Sequence, residues 1–178
     1  KVEQFAEVRL GRQRSPSRAT GPYMRPYMRA ANVTWAGLDL SDVKEMDFTP
    51  EEQEIYRLRA GDVILSEASG SVGEVGKPAV WNNEIENCCF QNTLIRVRSD
   101  GPLPQYLYFH FLYDASTARF SQVTQGIGIN HLGAKGLSSW RISLAPLAEQ
   151  RRVVTKIENL FAQAEAIERA VDAARRRA

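Results

Sequence analysis

Side chains able to hold a phosphate or read a base edge gather in three polar stretches of this 178-residue chain. Residues 12–18 carry Arg12, Arg14 and Arg18 among serines, with no acid beside them in sequence. Residues 66–76 (SEASGSVGEVG) supply Ser69 and Ser71 between glycines that let backbone approach a ligand closely. Residues 125–135 supply Gln125, Asn130, His131 and Lys135 around Gly126 and Gly128, and Arg29 adds a further cation. Lys, Arg, hydroxyls and backbone amides suit phosphate, while Arg, Asn and Gln suit base edges. Any one of these residues taken alone reads better as solvated loop. The set is the signal.

Catalytic patterns are missing. The chain has no GxxxxGK[ST] phosphate loop, no GxGxxG between strand and helix, no GxSxG elbow and no Asn-Pro-Pro-aromatic tetrapeptide. Asp62, Glu74 and Lys77 loosely evoke a nuclease cluster, but Glu74 and Lys77 are three apart and lie in a turn. His110 and His131 lack further His or Cys at ligand spacing, so no zinc or other metal site is expected. His110 reads as a packed or hydrogen-bonded residue on an aromatic helix face. Cys88 and Cys89 read as buried thiols, which places the chain in a reducing cytoplasm. The expectation is a binding protein without catalytic residues or cofactor of its own.

Periodicity supplies the elements that position these groups. Residues 4–10 alternate apolar and polar as a half-buried strand does, and residues 11–21 read as loop. The tandem PYMR of residues 22–29 carries prolines that confine it to a sheet edge or a strand start. Residues 30–35 continue as a strand, and residues 49–56 form a short helix with Pro50 in its first turn. Val63-Ile64-Leu65 is a continuous apolar strand after Gly61-Asp62; residues 77–81 and 88–97 are further strands. Leu107, His110, Phe111 and Tyr113 at helical spacing predict a helix over residues 103–119. The result is an α+β fold: a globular, β-rich body over residues 1–144, followed by a long C-terminal coiled-coil helix over 145–178. On that helix Val153, Ile157, Leu160, Ala164, Ile167 and Val171 step alternately by four and three, the a/d seam of a coiled coil. No other segment predicts a helix of matching length, so the seam is expected to meet a partner outside the body.

Net charge is only +2, and its distribution is more informative. Residues 1–31 hold seven Lys/Arg against Glu3 and Glu7, whereas residues 39–54 hold seven acids and only Lys44, a pattern that fits one cationic face. No apolar run approaches the roughly 18 residues of a membrane span, and no signal peptide opens the chain. Starting without Met, it reads as a fragment or a half-length chain.

Three stretches resemble the specificity subunits of type I restriction–modification systems. Residues 27–33 (YMRAANV) resemble the family's "Y-x-R-x-x-N-V" strand, and residues 58–65 (LRAGDVIL) its "L-x-x-G-D-I-L" strand. Residues 126–132 with 142–150 resemble "G-x-x-x-x-H-L … I-x-L-P-P-L-x-E-Q", with Ala145 at the first proline. The resemblance implies a target recognition domain that reads one half of a split double-stranded DNA site. It implies a helix that spaces two such domains by pairing with a second S half or a second copy. Methyltransferase (M) subunits would dock, with Glu149 and Gln150 as docking residues, and would bring S-adenosylmethionine; a restriction/motor (R) subunit would join for cleavage. Family members usually carry two recognition domains and two helices, and this chain holds one of each. The reading from a different class is a coiled-coil adaptor that binds no DNA; a third is a small nuclease.

Overall fold

A computed structural model of the chain describes residues 1–69, 74–120 and 130–177, the side chains of Ala68, Ser69 and Asn130 excepted. A 3-10 turn (Val2–Gln4) precedes β1 (Ala6–Leu10). Then come β2 (Met24–Met28), the hairpin β3 (Val33–Thr34) and β4 (Gly37–Leu38), β5 (Lys44–Asp47) and α1 (Pro50–Tyr56). Next are β6 (Val63–Ser66), β7 (Ala68–Ser69), β8 (Pro78–Val80), β9 (Cys89–Phe90), β10 (Leu94–Ser99) and α2 (Pro104–Ser116). Last are β11 (Asn130–His131), α3 (Ala134–Ser139) and α4 (Leu147–Arg175). Two compact units result, Lys1–Ser143 and Leu144–Ala178.

The first unit is organised by a four-stranded antiparallel sheet in the order β1-β10-β6-β8. Strand side chains alternate faces, and here both faces are buried. Val63 and Leu65 join Ile95, Val97, Leu107 and Phe111 on one side, while Ile64 and Leu94 join Met28, Trp81 and Phe90 on the other. This is why β6 is apolar from Val63 to Leu65 and buried at every position. The alternation forces Arg96 inside, where it is 1% exposed. Its guanidinium meets Glu7 at 3.1 Å, donates to the carbonyls of Ile55 and Arg57, and lies over the Phe90 ring. A second sheet, ordered β5-β2-β9, packs Tyr27, Met46, Phe48 and Cys89 together.

Helix α1 starts as its residues dictate. Pro50 takes the first position, the Thr49 hydroxyl accepts from the Glu52 amide, and the Glu52 carboxylate accepts from the Thr49 amide. On α2, Asp114 is buried and accepts from Arg119 and from the Trp140 indole, which fixes Trp140 against Phe120. Gly76 has φ +76°, and a Cβ there would stand 2.2 Å from the Phe120 ring, so no larger residue fits.

Several sequence expectations need correction. Residues 30–35 are not one strand: a 3-10 turn (Ala30–Asn32) leads into the two-residue β3. Residues 88–97 divide into β9 and β10 around a turn at 91–93. The tandem PYMR lies in β2, the middle strand of its sheet. Pro26 is nevertheless tolerated, because β9 pairs only from Tyr27 onward and Pro26 has its sole strand partner in β5. The helix expected over 103–119 runs Pro104–Ser116.

In the second unit α4 spans 29 residues, about 43 Å at roughly 1.5 Å per residue. Pro146 is its N-cap rather than its first residue, with φ −55° and ψ 150°. Leu160, Phe161, Ile167 and Val171 each expose 43% or more of their surface, so the apolar stripe is uncovered in the single chain. Among the described residues no helix is long and apolar enough to cross a membrane.

Candidate nucleic-acid interface

The polar stretches meet through backbone pairing that their own sequences do not announce. β7, inside residues 66–76, pairs antiparallel with β11, inside residues 125–135, setting Asn130 opposite Ser69 and His131 opposite Ala68. The Leu132 amide extends this clip by donating to the Glu67 carbonyl at 2.9 Å. The turn at 91–93 then gathers the other stems. The Glu67 amide donates to the Thr93 carbonyl, the Asn92 amide to the Arg12 carbonyl, and the Gln91 amide to the Met28 carbonyl. The Ala30 amide donates to the Thr93 hydroxyl. The stems of two stretches and the chain beside Arg29 thus converge on Gln91-Asn92-Thr93, and the third stretch joins them through Glu67. Sequence reading missed this turn because it lies inside an apolar run that looks like one strand. Its signal was the interruption Gln-Asn-Thr between Phe90 and Leu94.

Not every cation is free to meet a ligand. Arg12 donates to Glu52 at 2.8 Å and lies 5.4 Å from the Phe48 ring centre. Arg18 meets Asp47 at 3.1 Å, and Arg29 meets Asp42 at 2.6 Å. The acids absent from the neighbouring sequence are therefore present in space: Asp47 on β5, opposite Met24 of β2, Asp42 just before β5, and Glu52 on α1. Of the seven cations behind the single cationic face expected from charge segregation, three, Arg12, Arg18 and Arg29, instead pair with the acidic run. Burial pushes the Glu52 carboxyl up, but the Arg12 hydrogen bond and charge outweigh it and hold the group below the usual carboxylate range. Arg14 and Lys135 differ: both are exposed, and neither forms an ion pair among the described residues. Ser71 and Gln125 lie outside the described residues, and for Ser69 and Asn130 only the backbone is described.

His131 is exposed, with Nδ1 3.1 and 3.2 Å from the Glu67 carboxylate oxygens. Trp35, at the tip of the β3–β4 hairpin, was not anticipated. Its indole donates to Glu74 at 2.9 Å, and the Lys77 ammonium pairs with Glu74 while lying 6.0 Å from the Trp35 ring centre. The available signal was Gly37, whose φ of +110° closes the hairpin.

The residues weighed for catalysis are otherwise engaged. Asp62 is buried and accepts two bonds from Arg98, at 2.8 and 2.7 Å, and one from the Arg59 amide. The His110 ring meets Tyr106 edge-on at 4.8 Å, and burial lowers its proton affinity. Burial pushes the Cys88 and Cys89 thiols up to about 12, so both are protonated at neutral pH and unsuited to nucleophilic attack. Among the described residues no group of three or more His, Cys, Asp or Glu is placed to hold a metal ion.

On the helix, Glu149 and Gln150 separate. Glu149 is half-exposed and pairs with Arg152 at 2.9 Å. Gln150 is buried, and its amide donates to the Ala145 carbonyl at 2.7 Å, a local role at the helix start.

A family model for the type I restriction modification DNA specificity domain matches residues 1–173. The chain belongs to this family. Two relatives bear specificity-subunit names. The EcoKI type I restriction enzyme specificity subunit of Escherichia coli (strain K12) is 27% identical over 171 residues, covering 94% of this chain and 36% of that subunit. The StySPI specificity subunit of Salmonella potsdam is 24% identical over 150 residues, covering 82% and 32%. The chain spans about a third of the length of these relatives. The HsdS subunit from Thermoanaerobacter tengcongensis superposes with a TM-score of 0.69 at 21% identity, over 96% of this chain and 38% of that one. A chain from a structure on complex assembly and conformational transition of the type I R-M system gives 0.70 at 22%, over 96% and 39%. Both superpositions show that the chain shares its α+β fold, long C-terminal helix included, with those two chains.

Proposed function

We propose that this DNA specificity domain reads one half of a bipartite duplex site within a type I restriction–modification complex. The observation that carries the reading is the family match over residues 1–173. The convergence of the polar stems on residues 91–93 supports it, because it gives scattered base-reading and phosphate-binding residues one scaffold. Arg14 and Lys135 supply free cations, and the stretches holding Ser69, Ser71, Gln125 and Asn130 supply groups for base edges. Residues 145–178 pair with a second helix of the same kind, in another copy or another half, and set the spacing between half-sites. Methyltransferase subunits dock near Glu149, contribute S-adenosylmethionine and perform the chemistry; a motor-nuclease subunit adds cleavage. The complex works in the cytoplasm, where the buried free thiols stay reduced.

A coiled-coil adaptor without DNA contact is favoured by one observation, the internal pairing of Arg12, Arg18 and Arg29. Salt separates the two readings. Titration of duplex DNA at rising salt should show log affinity falling with a slope of about −0.9 per phosphate neutralised. A flat response supports the adaptor. Purified chain given S-adenosylmethionine, or Mg²⁺ with ATP, should neither methylate nor cut DNA; turnover would overturn the binding-module reading.

A further inference from the structure

Glu67 is anchored at three points. Its amide donates to the Thr93 carbonyl and its carbonyl accepts from the Leu132 amide, each at 2.9 Å. Its carboxylate, only 16% exposed, meets the His131 ring. The clip it closes has two residues on each strand, and so short a ladder is marginal by itself in water. A cross-strand pair is the kind of contact that holds such a ladder in register. Among the described residues no second charge forms an ion pair with either member. The turn 91–93 is uncharged, Lys77 is held by Glu74, and Lys135 on α3 forms no ion pair among the described residues.

We infer that Glu67 and His131 are positioning residues for DNA recognition: the pair clasps the chain at Ala68–Ser69 to the chain at Asn130–His131. Two polar stretches, about 60 residues apart in sequence, then act as one reading surface. His131 works through Glu67 and does not itself touch DNA. The inference rests on the DNA reading proposed above, but the clasp is a property of the free chain.

The test compares the full chain with Glu67→Gln, His131→Gln and the double variant. Without DNA, hydrogen exchange at the Leu132 amide is followed at one pH. Each variant should exchange roughly two- to fivefold faster than the parent, the range expected on losing a partly exposed pair. With DNA, preference for a selected duplex over random duplex should fall by a similar factor in either single variant and no further in the double. Leu132 exchange that is identical in all four proteins overturns the clasp. So does a Glu67→Gln protein that binds like the parent while His131→Gln alone loses affinity with a flatter salt slope, the signature of a direct phosphate contact. A parent that binds no duplex, yet shows the expected exchange, overturns the DNA reading and upholds the clasp.

Discussion

Arg12 and Arg14 stand two positions apart in one polar stretch and do different work. Arg12 is held by Glu52 and by the Phe48 ring, whereas Arg14 is exposed without an ion pair among the described residues. Arg12→Ala should therefore lower unfolding free energy by roughly 1.5–3 kcal/mol, the cost of losing hydrogen bonds to a charged group, as read by urea denaturation. Arg14→Ala should leave the urea midpoint unchanged and flatten the salt dependence of DNA binding by about one unit. Glu52 adds a pH signature. Its carboxyl is held below the ordinary value near 4.3. A depressed carboxylate contributes stability above its unfolded value and loses it as pH falls through its folded value. Glu52→Gln should accordingly show a shallower loss of stability than the parent below about pH 4.3, measured by urea midpoints across that range. Residue types were legible in the sequence, but their partners were not. The acid that meets Arg12 lies 40 residues away, and only folding brings it there.

At the scale of elements, local rules were readable where they acted alone. Thr49, Pro50 and Glu52 specify the start of α1, and the unbroken apolar run Val63-Ile64-Leu65 specifies a strand buried on both faces. Pairing-dependent features were not readable. The β7–β11 clip has two residues per strand, too few for any period to show, and the turn at 91–93 is hidden between two apolar strands. The a/d spacing of α4 was plain because it repeats over several turns. Replacing both Ile157 and Leu160 by Asp should abolish helix pairing; an unchanged sedimentation profile would refute the seam. Within the first turn of α4 the two candidate docking residues should part company. Gln150→Ala should cost about 1 kcal/mol through its lost hydrogen bond to Ala145 and lower the melting temperature. Glu149→Ala should leave melting nearly unchanged and weaken capture of the methyltransferase subunit in a pull-down.

For the whole molecule, what distant positions share was legible from motif order: an early strand, a G-D strand, an H-L step and a helix opened by Pro146. How charge is arranged in space was not legible. A chain that looks cationic at one end and acidic in the next segment folds so that three of its N-terminal arginines pair with acids of that segment. On the proposed reading, DNA contact then falls to a few exposed cations and to polar groups carried on paired stems. Such a surface predicts modest affinity for a single domain, with selectivity arising from base-edge contacts worth about 1–3 kcal/mol each. The most direct measurement is selection from a random duplex pool by the complex of this chain with its methyltransferase subunits, sequenced before and after. The account predicts enrichment of one short half-site, displaced to a different preference when Gln125 and Asn130 are both changed to Ala. A retained pool as random as the starting one, held with an affinity that salt does not change, would contradict it.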